Sequence, residues 1–228
     1  MRPRLLDLFC GAGGAAMGYH RAGFDVVGVD IWPQPRYPFT FVQADALTYP
    51  LDGFDAIHAS PPCQAYSAGR TLWNGRLPDD RHPDLIAPVR ARLRAAGVPY
   101  AIENVERSPL LNAVRLCGTS FGLAVKRHRL FECSFPVMVP PCDDHERFTV
   151  SLFGGGALSR TPRGGAARQQ DGWPNQHPMR RRVHVAHELV KVAMGIDWMT
   201  RDELSEAIPP AYTQHIGHYL LRALEANP

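Results

Sequence analysis

The sequence has very little lysine and no long apolar run. Lys126 and Lys191 are its two lysines, against 23 arginines, so guanidinium groups carry almost all of its positive charge. No stretch approaches the roughly 20 apolar residues that a membrane-spanning helix needs. The first residues, Met1 to Arg4, run straight into a predicted strand, without the apolar segment of a signal peptide. We therefore expect a cytoplasmic protein that does not contact a membrane.

Cysteine is scarce as well, with five in 228 residues. The odd number and the irregular spacing argue against a secreted disulfide framework and agree with a reducing compartment. Cys133, Cys142 and His145, together with His128 or Cys117, could in principle supply ligands for zinc. Their spacing lacks the close cysteine pairs of structural zinc sites, so we predict no metal site.

The arginines form two clusters, at residues 160–168 and 180–182, in a chain whose formal net charge is only +3. Arginine reads phosphate and guanine through its planar fork of donors. A clustered basic surface therefore indicates a nucleic-acid partner. An ordinary solvated surface is the alternative for both clusters.

Short apolar strands alternate with helices along the first part of the chain, and 45% of all residues are hydrophobic. This is enough for a full core, and the alternation favours βαβ units with a mostly parallel sheet. The prediction is therefore an α/β fold. Its strands are expected at 4–9, 26–29, 39–42, 55–59, 99–102 and 127–135, and its helices at 14–22, 85–96, 185–194, 201–207 and 209–224.

The composition changes after residue 135. Glycine, proline, arginine and glutamine dominate as far as residue 176, so this stretch has little capacity to form a core. Regular helices return further along the chain. We therefore divide the chain into a core at 1–135, a short irregular region at 136–182 and C-terminal helices that return to the core at 183–228.

Cys63 follows a predicted strand that two prolines bring to an end. Proline donates no backbone N–H and fixes φ, so Pro61 and Pro62 stop the ladder of hydrogen bonds. The thiol is thereby placed at the carboxyl edge of the sheet, where open α/β sheets bind ligands. A cysteine there is a candidate nucleophile if its surroundings favour the thiolate. The alternative is a small buried hydrophobe, which is what most free cysteines are.

A glycine-rich turn, Asp7-Leu8-Phe9-Cys10-Gly11-Ala12-Gly13-Gly14, follows the first predicted strand. Such a turn lets a ligand approach the backbone at a helix N-terminus. Asp30 ends the second strand and could accept both hydroxyls of a ribose, while Asp45, after the third, could accept from an adenine amine. Helix caps or loop charges are the alternatives for both. Because the pyrophosphate spacing Gly-x-Gly-x-x-Gly is incomplete, we favour S-adenosylmethionine over NAD.

Four motifs, taken in this order, resemble those of the DNA cytosine-5 methyltransferase family. They are Asp7-Leu8-Phe9-x-Gly11-x-Gly13-Gly14, Pro62-Cys63-Gln64-x-x-Ser67, Glu103-Asn104-Val105 and Arg127-x-Arg129, and they span roughly the first 130 residues. The resemblance implies a Rossmann-like S-adenosylmethionine-dependent methyltransferase sheet with a small irregular recognition insert at 136–182. It also implies S-adenosylmethionine as cofactor and, as substrate, cytosine in nucleic acid, which we expect to be double-stranded DNA.

The resemblance also assigns roles to single residues. Cys63 would attack carbon 6 of a flipped cytosine, and Glu103 would relieve the charge that develops at N3. Arg127 and Arg129, expected on one face of a strand, would lie beside them, and Asn104 would fix the loop around Cys63. The residues expected to hold the cofactor are Asp7, Phe9, Cys10, Gly11, Ala12, Gly13, Gly14, Asp30, Ile31, Asp45, Ala46 and Pro62. Those expected to contact DNA are Gln64, Ser67, Arg70, Arg160, Arg163 and Arg168.

Two features depart from the family's pattern. The region at 136–182 is short, so we expect a short or degenerate target site. The stretch 211–218, which we match to the family's cofactor-contacting turn, lacks the usual asparagine. The alternatives to DNA methylation are the same chemistry on RNA or on a free nucleotide, and a DNA-binding homologue that no longer catalyses. We expect a monomer, and the sequence leaves open whether a cognate restriction endonuclease accompanies it.

Overall fold

The computed structural model describes residues 1–66, 83–142, 149–150, 158–159 and 186–226. Nine strands lie in these ranges, seven in one sheet and two in a separate pair. The sheet consists of β1 (Arg4–Leu8), β2 (Asp25–Asp30), β3 (Thr40–Gln43), β4 (Ala56–Ala59), β5 (Tyr100–Asn104), β6 (Val114–Leu116) and β7 (Arg129–Cys133). The pair consists of β8 (Thr149–Val150) and β9 (Leu158–Ser159).

The order of strands across the sheet determines where a ligand can bind. The order is β3-β2-β1-β4-β5-β7-β6, with the first five strands parallel and β7 antiparallel to both of its neighbours. The chain reverses its direction of winding between β1 and β4, and open α/β sheets bind ligands in the crevice outside the carboxyl ends at such a point. The glycine turn after β1 and the Pro61-Pro62-Cys63 segment after β4 both start there.

Helices cover both faces of the sheet, so its central strands are apolar on both sides. They are α1 (Gly14–Ala22), α2 (Ile86–Ala96), α3 (His187–Met194), α4 (Arg201–Glu206) and α5 (Pro210–Ala226), with a 3-10 helix at Gly118–Phe121. Leu5 and Val26 face the layer formed by α1 and α5, whereas Leu6 and Leu8 face the layer that contains α2. Successive residues of β1 thus enter different core layers, as the period of a strand requires.

Small residues allow α1 and α5 to pack closely. A Cβ added at Gly18 would overlap the Thr213 hydroxyl, and one added at Gly217 would lie 2.6 Å from the Cβ of Ala22. The Thr213 hydroxyl donates to the carbonyl of Ala15 over 2.8 Å. The C-terminal helix α5 is therefore held directly against the helix that the glycine turn opens.

The predicted α/β fold and its mostly parallel sheet are confirmed, and the helix and strand bounds differ from the predicted ones by a few residues. Two details differ from the prediction. Arg127 precedes β7 instead of lying within it, and β6 was not predicted. Residues 211–218 lie inside α5, in agreement with the predicted helix at 209–224. Among the described residues, no helix is both long and apolar enough to cross a lipid bilayer.

Candidate active site

The segment that carries Cys63 is fixed by hydrogen bonds from both sides. The amide of Ser60 donates to the carbonyl of Leu8 over 3.1 Å, and the prolines then end the pairing of β4. Asn104, at the end of β5, donates through Nδ2 to the carbonyl of Pro61 over 2.8 Å. Asn104 is only 1% exposed, and its Oδ1 accepts from the amide of Val105 over 2.9 Å. The predicted role of Asn104 in fixing this loop is thus confirmed.

Glu103 and Arg129 form a buried ion pair beside this loop. Glu103 ends β5 and Arg129 begins β7, and the antiparallel register of these strands brings the two side chains together. Nε of Arg129 lies 3.0 Å from Oε1 of Glu103, with the side chains 14% and 8% exposed. Arg129 also donates through Nη1 to the carbonyl of His128 over 2.8 Å. The guanidinium group is therefore oriented by its own backbone as well as by the carboxylate.

Arg127 reaches the same group of charges from a different position. It is 8% exposed, and its Nη2 donates to the carbonyl of Ser205 over 2.8 Å. The hydroxyl of Tyr212 donates to the carbonyl of Arg127 over 2.6 Å. Burial lowers the pKa of Arg127, and the like charge of Arg129 lowers this pKa further. The C-terminal helices therefore hold Arg127, although it does not belong to the strand that contains Arg129.

Cys63 and Glu103 influence each other's ionisation. Burial raises the pKa of Cys63 and so does the Glu103 carboxylate, whereas Arg129 and Arg127 act in the opposite direction. Burial also raises the pKa of Glu103, against the lowering effect of Arg129, Arg127 and a hydrogen bond from Ser60. A thiolate at Cys63 is therefore favoured when Glu103 holds a proton, because the two negative charges then do not coexist.

A chain of hydrogen bonds leads from the core to Glu103. The hydroxyl of Tyr19 lies 3.0 Å from Nδ1 of His58, and Nε2 of His58 lies 2.9 Å from the hydroxyl of Ser60, which in turn bonds to Glu103. His58 is fully buried, and this lowers its pKa to about 3. The neutral imidazole thus orients Ser60. The sequence offered one sign of this chain, the polar His58 within the apolar strand before the prolines.

The glycine turn adopts a backbone that few residue types accept. Gly11 and Gly13 have φ values of 47° and 86°, and Phe9 has 57°, a value that is rare for a residue other than glycine. Such strain is found most often at ligand sites. A Cβ added at Gly11 would meet nothing within 4 Å, so one side of the turn is open. On the other side, Nε1 of Trp198 donates to the carbonyl of Ala12 over 2.8 Å.

Asp30 stands at the open side of the turn. Its Oδ2 accepts from the amide of Gly11, and its Oδ1 accepts from the amide of Trp32, each over 3.0 Å. Asp30 thus fixes its own loop, which was the alternative to the ribose contact, and each oxygen retains a lone pair for a ligand. Ile31 and Trp32 are 57% and 71% exposed. Sequence reasoning passed over Trp32, although an aromatic residue directly after Asp30-Ile31 is a visible signal for a planar ligand.

Asp7 lies within β1, fully buried, and neither of its carboxyl oxygens makes a hydrogen bond of ordinary geometry. Burial raises its pKa well above the usual range, Asp30 raises it further, and the approaching hydroxyl of Tyr37 acts in the opposite direction. Burial thus favours the neutral form of Asp7, and Asp30 is the acidic group at the open side of the turn. This suits S-adenosylmethionine, which carries a sulfonium and an ammonium, better than the pyrophosphate of a dinucleotide.

The other predicted cofactor residues lie around the same edge of the sheet. Asp45 is exposed, and its Oδ1 accepts from the amide of Leu47 over 2.8 Å. Ala46 is 2% exposed, and its carbonyl accepts from Nη1 of Arg92 over 2.6 Å, which fastens this loop to α2. Cys10, Ala12, Gly13 and Gly14 are buried, while Phe9 is half-buried and Pro62 is exposed.

The glycine turn meets a C-terminal segment that precedes α5. A Cβ added at Gly14 would lie 2.5 Å from the carbonyl oxygen of Ile208 and 3.4 Å from the Cβ of Ala207. Residues 211–218 follow inside α5, where Tyr212 and Thr213 are fully buried. Residues 207–208, between α4 and α5, therefore pack directly on the start of α1.

Of the residues predicted to contact DNA, the structure describes Gln64 alone. Gln64 is exposed and lies in a turn that the amide of Tyr66 closes on the carbonyl of Cys63 over 3.0 Å. It thus stands next to the candidate nucleophile on the surface. The others, Ser67, Arg70, Arg160, Arg163 and Arg168, lie outside the described residues.

The chain resembles known proteins in the region that carries this site. The family model for C-5 cytosine-specific DNA methylases matches residues 3–105, which include the glycine turn, Cys63 and Glu103. A stretch of 79 residues is 33% identical to the Type II methyltransferase M.FnuDI of Fusobacterium nucleatum, covering 30% of this chain and 23% of that protein. The match thus spans about a quarter of the length of the relative.

Solved structures share the fold over almost the whole chain. The Entamoeba histolytica methyltransferase EhMeth has a TM-score of 0.61 and 12% identity, covering 98% of this chain and 99% of that one. The S. pombe Dnmt2 methyltransferase has a TM-score of 0.58 and 14% identity, with the same coverage of both chains. At such low identity these likenesses establish the fold, a Rossmann-like α/β sheet, and nothing finer.

Proposed function

We propose, from the match of residues 3–105 to the family model for C-5 cytosine-specific DNA methylases, that this chain methylates carbon 5 of cytosine in double-stranded DNA. S-adenosylmethionine is the methyl donor, and Cys63 is the nucleophile. The observation that carries the proposal is the convergence of three groups at one sheet edge. Cys63 follows β4, Glu103 ends β5 and Arg129 begins β7, and Glu103 and Arg129 form a buried pair that acts on the pKa of Cys63.

The cofactor would lie over the glycine turn. Asp30 would accept from the ribose hydroxyls, Ile31 and Trp32 would cover the purine, and Asp45 would accept from the adenine amine. Phe9 and Pro62 would line the same space, and the Asp30 carboxylate would favour a cationic ligand. When bound, S-adenosylmethionine supplies an electrophilic methyl group.

Cys63 would solve the central chemical problem, which is that carbon 5 of cytosine is a weak nucleophile. Its thiolate forms a bond to carbon 6, and the electron pair of the 5–6 double bond is delocalised toward N3. Glu103 gives a proton to N3, so that the charge does not accumulate and carbon 5 becomes an enamine carbon that accepts the methyl group. Water then takes the proton from carbon 5, the bond between sulfur and carbon 6 breaks, and N3 returns its proton to Glu103.

Arg129 and Arg127 would stabilise the negative charges of Glu103 and Cys63 during this cycle. Arg129 holds the Glu103 carboxylate before the base enters, and burial, which raises the pKa of Glu103, prepares the carboxyl to take up a proton. When Glu103 is protonated, the positive charges of Arg129 and Arg127 act on Cys63 without an opposing carboxylate. Asn104, through the carbonyl of Pro61, keeps the thiol in place during addition and elimination.

A base stacked in duplex DNA cannot reach Cys63, so the cytosine would be flipped out of the helix. Exposed Gln64, next to the nucleophile, is placed to contact the DNA around the flipped base. We propose the region at 136–182, with its arginines, as the recognition region, and residues 1–135 with 183–228 as the catalytic core. A region this short can read only a few base pairs directly.

The choice of acceptor tests this function. Purified protein is incubated with S-adenosylmethionine that carries a tritiated methyl group, and with unmethylated duplex DNA, tRNA or dCMP. We expect label in DNA, abolished by Cys63→Ser and kept by Cys133→Ser, which removes a half-buried thiol elsewhere in the sheet. Label in tRNA or dCMP instead would assign the same chemistry to another acceptor. Binding of DNA without label in any acceptor would refute the enzymatic function.

A further inference from the structure

Three side chains with metal-binding atoms come together on the outer part of the sheet. Cys117 immediately precedes the 3-10 helix, His128 immediately precedes β7, and Cys142 ends the described segment 83–142. One ligand atom from each lies within 4.8 Å of the other two. These residues were among the possible zinc ligands in the sequence, but their separations of 11 and 14 positions do not resemble a zinc motif.

The distances approach those of a tetrahedral metal site. Zinc binds sulfur at about 2.3 Å and imidazole nitrogen at about 2.0 Å, which places such a pair of ligands about 3.6 Å apart and two sulfurs about 3.8 Å apart. Sγ of Cys142 lies 3.4 Å from Nε2 of His128. Side-chain rotations alone can therefore bring the three atoms around one ion.

The groups behind the ligands also fit a metal site. Nδ1 of His128 faces Oε1 of Glu106 over 3.3 Å, which leaves Nε2 for a metal in the carboxylate–histidine–zinc arrangement. Glu106 is shared with Arg115, whose Nη1 lies 3.4 Å from the same oxygen.

Cys117 has hydrogen-bonding groups on both sides of its sulfur. Sγ lies 3.2 Å from the hydroxyl of Thr119 and 3.0 Å from the carbonyl of Lys126. The thiol donates to that carbonyl; once the thiol proton is released to a metal, the hydroxyl of Thr119 can donate to the sulfur instead. The hydroxyl of Ser120 donates to the carbonyl of Pro141 over 2.7 Å, which keeps the segment of Cys142 beside that of Cys117.

We propose that Cys117, His128 and Cys142 bind a Zn²⁺ ion, with a water molecule in the fourth position. Two thiolates and one imidazole favour zinc, whereas magnesium and calcium prefer oxygen ligands. The two thiolates cancel the charge of the ion, so the site adds no net charge next to Arg127 and Arg129. Its position gives it a structural role, since it ties the start of β7, which carries Arg129, to the chain that leads into residues 143–182.

Metal content and cobalt substitution test the site. Tag-free protein is produced in zinc-supplemented medium and purified with a reductant and without a chelator. We expect about one zinc per chain and, after exchange with Co²⁺, the absorption band of a thiolate-bound cobalt. Cys142→Ser and His128→Asn should lose the zinc and change the cobalt spectrum. Cys133→Ser, a cysteine outside the cluster, should keep both.

A milder variant keeps the test decisive if these proteins fail to fold. Glu106 is half exposed, so Glu106→Gln should fold normally. Loss of a carboxylate behind a histidine ligand lowers metal affinity about 10- to 100-fold, and competition with a chelating dye would measure this. Wild-type protein without zinc and without a thiolate–cobalt band would overturn the proposal. So would a Cys117–Cys142 disulfide under the reducing conditions, or equal zinc affinity in Glu106→Gln.

Discussion

Replacing Glu103 by glutamine should move two properties of the site in opposite directions. The Glu103 carboxylate raises the pKa of Cys63, so its removal should lower that pKa and increase the thiolate fraction near neutral pH. Glu103→Gln should therefore make Cys63 more reactive toward iodoacetamide. The same variant cannot give a proton to N3 of cytosine, so its methyl transfer should be slower.

Both the rate of methyl transfer and the stability of the protein should fall measurably in this variant. Loss of a positioned acid costs about 100- to 10,000-fold in rate, which corresponds to about 3–5 kcal/mol in the activation barrier. The variant also leaves the guanidinium of Arg129, 14% exposed, without its ionic partner, although the amide oxygen of glutamine can still accept its hydrogen bond. We expect the free energy of unfolding to fall by about 1–3 kcal/mol for this reason.

Alkylation of the free protein followed by peptide mass spectrometry measures the first effect without any substrate. The rate should rise with pH in both proteins, with a midpoint at lower pH in Glu103→Gln. Buried Cys10 serves as an internal control, because local unfolding would expose it as well. Glu188→Gln, the same change on an exposed residue of α3, should leave the rate at Cys63 as it is in wild type. Slower or unchanged alkylation in Glu103→Gln, or full methyl transfer, would refute the reasoning.

Three further variants test the packing and the loop. Asp7→Asn should raise the free energy of unfolding near pH 8 by about 1–3 kcal/mol, because burial raises the pKa of Asp7 and so penalises its ionised form in the folded state. Since the folded state raises the pKa of Asp7, the gain should shrink as the pH falls toward about 4, and a gain independent of pH in urea titrations would contradict this. Asn104→Ala should slow single-turnover methyl transfer about 100-fold by releasing the carbonyl of Pro61, with cofactor affinity unchanged; an unaltered rate would mean that the loop is held otherwise. Gly18→Ala, a change that stabilises most helices by about 1 kcal/mol, should lower stability by about 1–3 kcal/mol because the new methyl overlaps Thr213, and a higher urea midpoint would argue against the α1–α5 packing.

The sequence was sufficient for features that depend on local chemistry. Two prolines end a strand wherever they occur, so the position of Cys63 after β4 could be predicted from Pro61 and Pro62. Parallel strands present their carboxyl ends at one edge, which made the meeting of Asp30, Cys63 and Glu103 at one side of the sheet predictable. The α/β pattern of the strands gave the fold in the same way.

Features that depend on packing between distant segments could not be predicted. Arg127 is held by the carbonyl of Ser205 and by Tyr212, and nothing in the alternation of Arg127 and Arg129 indicates these partners. The hydrogen-bond chain through His58 requires Tyr19 of α1 to face β4. The approach of Ile208 to Gly14 could not be predicted either, because it depends on how the segment before α5 packs on the start of α1.

The cluster of Cys117, His128 and Cys142 is another feature that could not be predicted from the sequence. Spacing rules assume that zinc ligands lie close together along the chain, whereas these three meet because β6 and β7 are antiparallel and the chain after β7 folds back. Three-dimensional proximity of this kind follows from the sheet topology. It is not visible as a linear motif.

The bond between Cys63 and cytosine is the central claim, and mass spectrometry tests it most directly. Duplex DNA that contains 5-fluorocytosine is incubated with the protein and S-adenosylmethionine; fluorine in place of the carbon 5 proton blocks release, so the covalent intermediate accumulates. After digestion, we predict a methylated fluorocytosine adduct on the peptide that contains Cys63, and no adduct in Cys63→Ser. Adduct on another residue, or methylated DNA formed by Cys63→Ser, would contradict the account.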